Sequence, residues 1–143
     1  MTPTLPGRWQ TRVLLLGTVG LILSLIYGAI VGDLGTPVTL LGYVLLLGCY
    51  WDALYHYLQS WRWDRDWPPA FQMAAGLAEG VAIWLLIYAG RTLFGGLPGV
   101  PASLTLRQFV THYGIVWLAM FLAVQGPLRV ILPRWRYHGG EWW

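Results

Sequence analysis

The 143-residue chain is 57% hydrophobic and only 10% charged, with a mean hydropathy of +0.54, whereas soluble domains carry about 25% charged residues. So few charges cannot clothe a water-facing surface, which excludes an ordinary soluble domain and leaves the lipid bilayer as the solvent. The net charge of +3 comes entirely from arginines scattered at the ends of apolar runs, not from the basic patch that a nucleic-acid partner requires.

Apolar windows of about 20 residues suit membrane-crossing helices and predict four spans, approximately 12–32, 37–60, 69–94 and 105–131. The expected fold is all-α: a single domain, an antiparallel bundle of four transmembrane helices. The first span follows Arg8 and Arg12, which resemble the n-region of a secretory signal, but its apolar run exceeds an h-region of about 7 to 15 residues. It is read as a retained helix. Its Gly28 and Gly32 form a GxxxG pattern suited to close helix contact, within the bundle or between protomers.

Gly32-Asp33-Leu34-Gly35 predicts a tight turn, with Thr36 as N-cap and Pro37 in the first helical position of span two. At 100° per residue, Gly42, Leu45, Cys49, Asp52, His56, Gln59 and Ser60 share one polar arc, opposite Tyr50, Trp51, Leu54, Tyr57, Leu58 and Trp61. Asp52 and His56 stand one turn apart and can pair directly. They read either as a hydrated structural pair near the interface or as part of a proton relay, an ion pathway or half of a metal site. Ionisable groups inside a membrane are costly and face a bundle interior or a cavity.

Arg62 to Trp67, followed by Pro68-Pro69, predicts an interfacial loop. Asp64 and Asp66 offset its arginines, so the loop reads as self-paired rather than polybasic. Arg62, Trp63, Arg65 and Trp67, with Arg134, Trp135 and Arg136 near the other chain end, are the expected contacts to lipid or a partner, within a tryptophan belt.

In span three, Gly76 and Gly80 form a second GxxxG around Glu79, the chain's deepest acid. An unpaired carboxylate there is expensive, so Glu79 needs a proton, water or a cation. Gly95 to Pro101 is a Gly/Pro loop. Span four carries His112, read as a core histidine near the opposite end from His56, and then Gln125 and Arg129. Arg129 is the expected charged partner for Asp52 or Glu79, and the alternative is that it reaches lipid phosphate. Pro127 predicts a kink, and Pro133 an end.

Seven arginines gather on one side and only Arg91 and Arg107 on the other, so the positive-inside rule places both termini in the cytoplasm of a multi-pass inner-membrane protein. The sole cysteine, Cys49, excludes an internal disulfide and any CxxC redox or Cys-rich metal centre. Phosphate loops, HExxH and GxSxG are absent. No metal is assigned and no cofactor follows from the residues. The expected function is assembly with the bilayer as surroundings, by self-association or as an accessory or scaffold subunit beside another membrane protein. The alternatives are a proton or ion pathway through Asp52, His56, Glu79, Gln125 and Arg129, and a membrane enzyme or metal protein built on the same cluster.

Overall fold

The structure is a computed structural model that describes residues 3–142 and, for Arg136, the backbone alone. The expected contacts of the Arg136 side chain therefore lie outside the described part. The fold is all-α. Helix α1 (Leu5–Leu15) passes through a π-helical segment (Leu16–Gly20) into α2 (Leu21–Val31), followed by α3 (Gly35–Ser60) and α4 (Pro69–Phe94). Helix α5 (Leu106–Gln125) continues into short α6 (Pro127–Ile131) and α7 (Pro133–Tyr137). Four stretches, Leu5–Val31, Gly35–Ser60, Pro69–Phe94 and Leu106–Ile131, are long and apolar enough to cross a membrane.

The first helix starts earlier than the apolar window suggests. The Thr4 hydroxyl accepts from the Gly7 N–H at 3.1 Å, and Pro6 lies in the first turn, where its missing N–H goes unneeded. This start carries Arg8 and Arg12 inside the helix. Helix α3 also begins earlier than expected: Asp33 rather than Thr36 satisfies its first turn, its carboxylate accepting from the Thr36 N–H at 3.1 Å and from the Thr36 hydroxyl. The exposed Asp33 carboxyl is held below its usual range by those two bonds to Thr36. Pro127 breaks the last long helix as its chemistry requires, with Gly126 at φ −113° and ψ −93° between α5 and α6.

One end of the molecule gathers both chain ends and the 61–68 loop. The Thr4 N–H donates to the Gly139 carbonyl at 2.9 Å, Trp135 Nε1 donates to the Thr11 hydroxyl at 2.7 Å, and the Trp142 N–H donates to Gln10 Oε1 at 2.8 Å. Gly7 permits this closure, because a Cβ there would stand 2.3 Å from the Gly139 carbonyl oxygen. The other end is formed by the 32–34 turn and the 95–105 segment, where the Arg91 guanidinium donates to the Pro101 and Leu104 carbonyls at 3.2 and 2.8 Å. The apolar core lies toward this second end and includes Leu16, Leu40, Ile83, Ile87, Phe109 and Val116.

Both GxxxG patterns are consumed within the chain. Gly28 lies against Asp33 and Leu34 of the following turn, and Gly32, at φ +79°, ends α2 in the left-handed conformation that favours glycine. A Cβ on Gly76 would stand 1.8 Å from Trp117 Nε1, and one on Gly80 would stand 2.6 Å from the Tyr113 ring. The small residues of α4 thus seat aromatic side chains of α5, where close approach of a bare backbone was the expectation.

Candidate functional site

Three helices meet on one cation. Arg12 of α1 donates from Nε and Nη2 to the Asp52 carboxylate of α3 at 2.8 and 3.0 Å. It also donates from Nη1 and Nη2 to the Glu79 carboxylate of α4 at 2.8 and 3.3 Å. A guanidinium presents its donors in a planar fork that fits a carboxylate edge, and here two of its edges are filled. Both acids are buried, at 5% and 4% residue exposure, a condition ionised carboxylates tolerate only when paired.

Glycine makes room for this clamp. A Cβ on Gly48, one turn before Asp52 in α3, would stand 2.0 Å from Arg12 Nη1. Two tyrosines flank it: the Tyr55 hydroxyl donates to the Ala75 carbonyl at 3.1 Å and the Tyr113 hydroxyl to the Gly76 carbonyl at 2.6 Å. Toward the chain ends, Gln125 Nε2 donates to Gln72 Oε1 at 2.8 Å and Arg8 Nη2 to Gln59 Oε1 at 2.9 Å, with Arg8 over the Trp67 ring.

The structure therefore brings Asp52 and Glu79 together, as the polar pattern suggests, but corrects their company. His56 is exposed on α3, and both acids bond to Arg12 instead. The buried face of α3 runs through Leu41, Val44, Gly48, Asp52, Tyr55 and Gln59, rotated away from the arc that held Cys49, His56 and Ser60. Packing of Gly48 onto Arg12 and of Tyr55 onto α4 sets that rotation, and polarity alone does not reveal it. Arg129 does not pair with either acid. Arg12 reaches them first, since the early start of α1 carries it into the helix body. Gln125 stands near the cluster, bonded to Gln72.

Beside the clamp lies a cavity of about 170 Å³. Its walls come from α1, α3, α4, α5 and the segment from α6 to Gly140, and include Arg8, Arg12, Asp52, Glu79, Tyr113 and Arg129. Helix α5 packs chiefly on α4, α2 and the π-helical segment, and the cavity occupies the space between α1 and α5 at the end where the chain termini meet.

Of the expected interfacial residues, Arg62 donates bidentately to Asp64 at 3.0 and 2.8 Å and stacks on Phe71. Trp67 packs between Tyr55 and Phe71, Trp135 is buried against Thr11, and Trp63, Arg65 and Arg134 are exposed. Arg65 takes a left-handed φ of +48°, and its carbonyl accepts from Gln59 Nε2 at 2.6 Å.

A second buried polar pair lies deeper. Ser24 Oγ and His112 Nε2 are 2.9 Å apart at 0% and 2% exposure, with the Tyr27 ring beside the imidazole and His112 Nδ1 left without a partner. Arg12 as the cation of the clamp, Gly48 beside it and Ser24 were not among the residues expected at the site. Gly48 carried a signal: a glycine on the inward side of a long helix, one turn from an acid. Among the described residues, His, Cys, Asp and Glu nowhere gather in threes suited to a metal ion. Compared with known protein families, curated proteins and solved structures, the chain matches none.

Proposed function

We propose that the chain is a four-span inner-membrane protein, an antiparallel bundle with both termini in the cytoplasm, that works through assembly as a homo-oligomer or an accessory subunit of a membrane complex. The observation that carries this reading is the Arg12 clamp. Both intramembrane acids are bonded within the chain to one guanidinium, so the interior's charges hold helices together and recognition devolves onto the surface. In lipid, burying apolar side chains between helices gains little, and polar ties and close packing do the joining. The end rich in arginine, with Arg8, Arg62, Arg65, Arg129 and Arg134, faces the cytoplasm by the positive-inside rule.

Because the glycine motifs are occupied internally, contact with another subunit falls to the outer faces. Helix α5 leaves Val110, Ile115, Leu118 and Leu122 exposed along one side. The test is purification in mild detergent with mass determination, together with cross-linking of Leu118→Cys in a Cys49→Ser background. A complex of defined mass is expected; a strict monomer that co-isolates with nothing ends the proposal.

A second reading, a proton pathway, draws on the cavity that reaches Asp52 and Glu79. It requires pH-driven flux in liposomes that Glu79→Gln abolishes. Absent flux, or flux indifferent to that change, removes it.

A further inference from the structure

The cavity walls carry more positive charge than they neutralise. Three guanidinium groups, Arg8, Arg12 and Arg129, face two carboxylates, Asp52 and Glu79, and both carboxylates are held by Arg12. Arg8 spends one donor on the amide oxygen of Gln59. The Arg129 side chain makes no hydrogen bond or ion pair among the described residues, and the Nε atoms of both Arg8 and Arg129 are shielded from water without an acceptor. Shielded, unsatisfied donors on a cation are costly, and a guanidinium's strongest complement is an oxyanion bound through two parallel N–H groups.

Much of the remaining lining of the same cavity is apolar. Leu15, Val44, Val116, Met120, Phe121 and Val124 line it. A site with cations at one side and hydrocarbon at the other fits an amphiphile, and a bare inorganic anion gains nothing from the second half. With the arginine-rich end at the cytoplasmic interface, the site opens where inner-leaflet phosphates lie. We propose that the cleft between α1 and α5 binds an anionic phosphate-headed lipid of the bilayer, its phosphate received by Arg8 and Arg129 and the start of its acyl chain laid along α5. This rests on the membrane placement proposed above and is independent of assembly.

Arg12 is not a ligand in this scheme. Its fork is occupied by Asp52 and Glu79 and offsets one of their two negative charges, so that with Arg8 and Arg129 the lining is left with a single positive charge in excess to receive the lipid phosphate.

The test uses the full chain in nanodiscs of phosphatidylcholine, with or without a minor fraction of phosphatidylglycerol, read by native mass spectrometry for retained lipid and by melting temperature. Phosphatidylglycerol is expected to stay bound and to raise the melting temperature, while inorganic phosphate in the buffer gives no shift. Arg8→Gln with Arg129→Gln is expected to weaken retention at least about tenfold, the factor for losing about 1.4 kcal/mol of charge-assisted bonding. Val124→Trp, which fills the apolar side and leaves both charges, is expected to abolish retention while the protein stays folded, so the result survives misfolding of the double variant. Arg107→Gln, at the far end, is expected to leave it unchanged. Equal retention of phosphatidylcholine, undiminished retention in Val124→Trp, or a full shift from phosphate alone would overturn the proposal. Resistance of the protein to alkaline carbonate extraction reports on membrane placement separately.

Discussion

Arg12 with Asp52 and Arg62 with Asp64 are the same contact drawn twice. Each is a bidentate guanidinium–carboxylate pair with bonds of 2.8 and 3.0 Å. They differ in reach and in solvent: the first joins residues 40 apart in sequence at 14% and 7% side-chain exposure, the second residues 2 apart at 35% and 29%. The buried pair also has a second acid on the same cation. Geometry therefore says little about what an ion pair contributes; its surroundings decide. A buried pair once formed is expensive to halve, whereas water and ions readily replace a partner in an exposed one.

Removing the shared cation should give the largest effect. Arg12→Gln leaves two buried carboxylates facing each other, and breaking such a pair costs about 3–5 kcal/mol. A steep fall in melting temperature in detergent is expected. Replacing the whole set, Arg12→Met with Asp52→Leu and Glu79→Leu, should recover most of that loss, because apolar groups of similar volume need no desolvated partner. If the triple variant melts as low as Arg12→Gln, the clamp holds the helices by more than charge matching.

Glycine substitutions probe the same comparison through shape. Gly48→Ala pushes a methyl against the Arg12 guanidinium and Gly76→Ala pushes one into the Trp117 ring, with a cost of about 1–3 kcal/mol each from overpacking. Gly42→Ala meets nothing within 4 Å and should be neutral or gain up to about 1 kcal/mol from helix propensity. Chemical denaturation of the three variants orders them, and an equal effect at 42 and 48 would show that Gly48 is not there for Arg12.

Ser24→Ala removes the partner of His112 Nε2 and leaves a buried imidazole nitrogen unsatisfied, at a cost of about 1–3 kcal/mol. Ser24→Thr, which restores the hydroxyl, should recover part of it.

The smallest effect belongs to the exposed pair. Its bond to Arg62 holds the Asp64 carboxyl below the usual aspartate range. A carboxyl so depressed contributes its stabilisation above the unfolded-state value and loses it as pH falls through the folded one. Acidification below the ordinary aspartate range should release Arg62 and alter tryptophan fluorescence around the 61–68 loop, with no shift in the global melting temperature. Asp64→Asn should mimic it at neutral pH. A global destabilisation from either would erase the contrast between the two pairs.

The helices were legible because length and apolarity suffice to mark them, and Pro68, Pro127 and Pro133 fall at breaks for reasons of backbone chemistry. Asp52 and Glu79 were legible as inward residues because a carboxyl on an apolar helix has nowhere else to go. Their partner was not. Arg12 stands at the edge of an apolar run, where arginines ordinarily serve topology, and only the capping of α1 by Thr4 places it inside the helix. His56 shares the polar arc with Asp52 yet stands exposed while Tyr55 is buried, because residues at 52, 55 and 56 lie close on a helical wheel and the choice between the Tyr55 and His56 sides is made by neighbouring helices. The cavity and its unsatisfied arginines arise from how α1 and α5 are spaced, which no single stretch of residues encodes.

The clamp also dictates an order of birth. Arg12 is synthesised 40 residues ahead of Asp52 and 67 ahead of Glu79, and the residues that lace over α1, Trp135 and Trp142, are made after both. On the membrane reading, the first helix enters the bilayer carrying a charge whose first counterion arrives with the second span and whose other arrives with the third. During that interval it depends on the translocation machinery or on a neighbour for shelter, so α1 is made before the two helices that complete it.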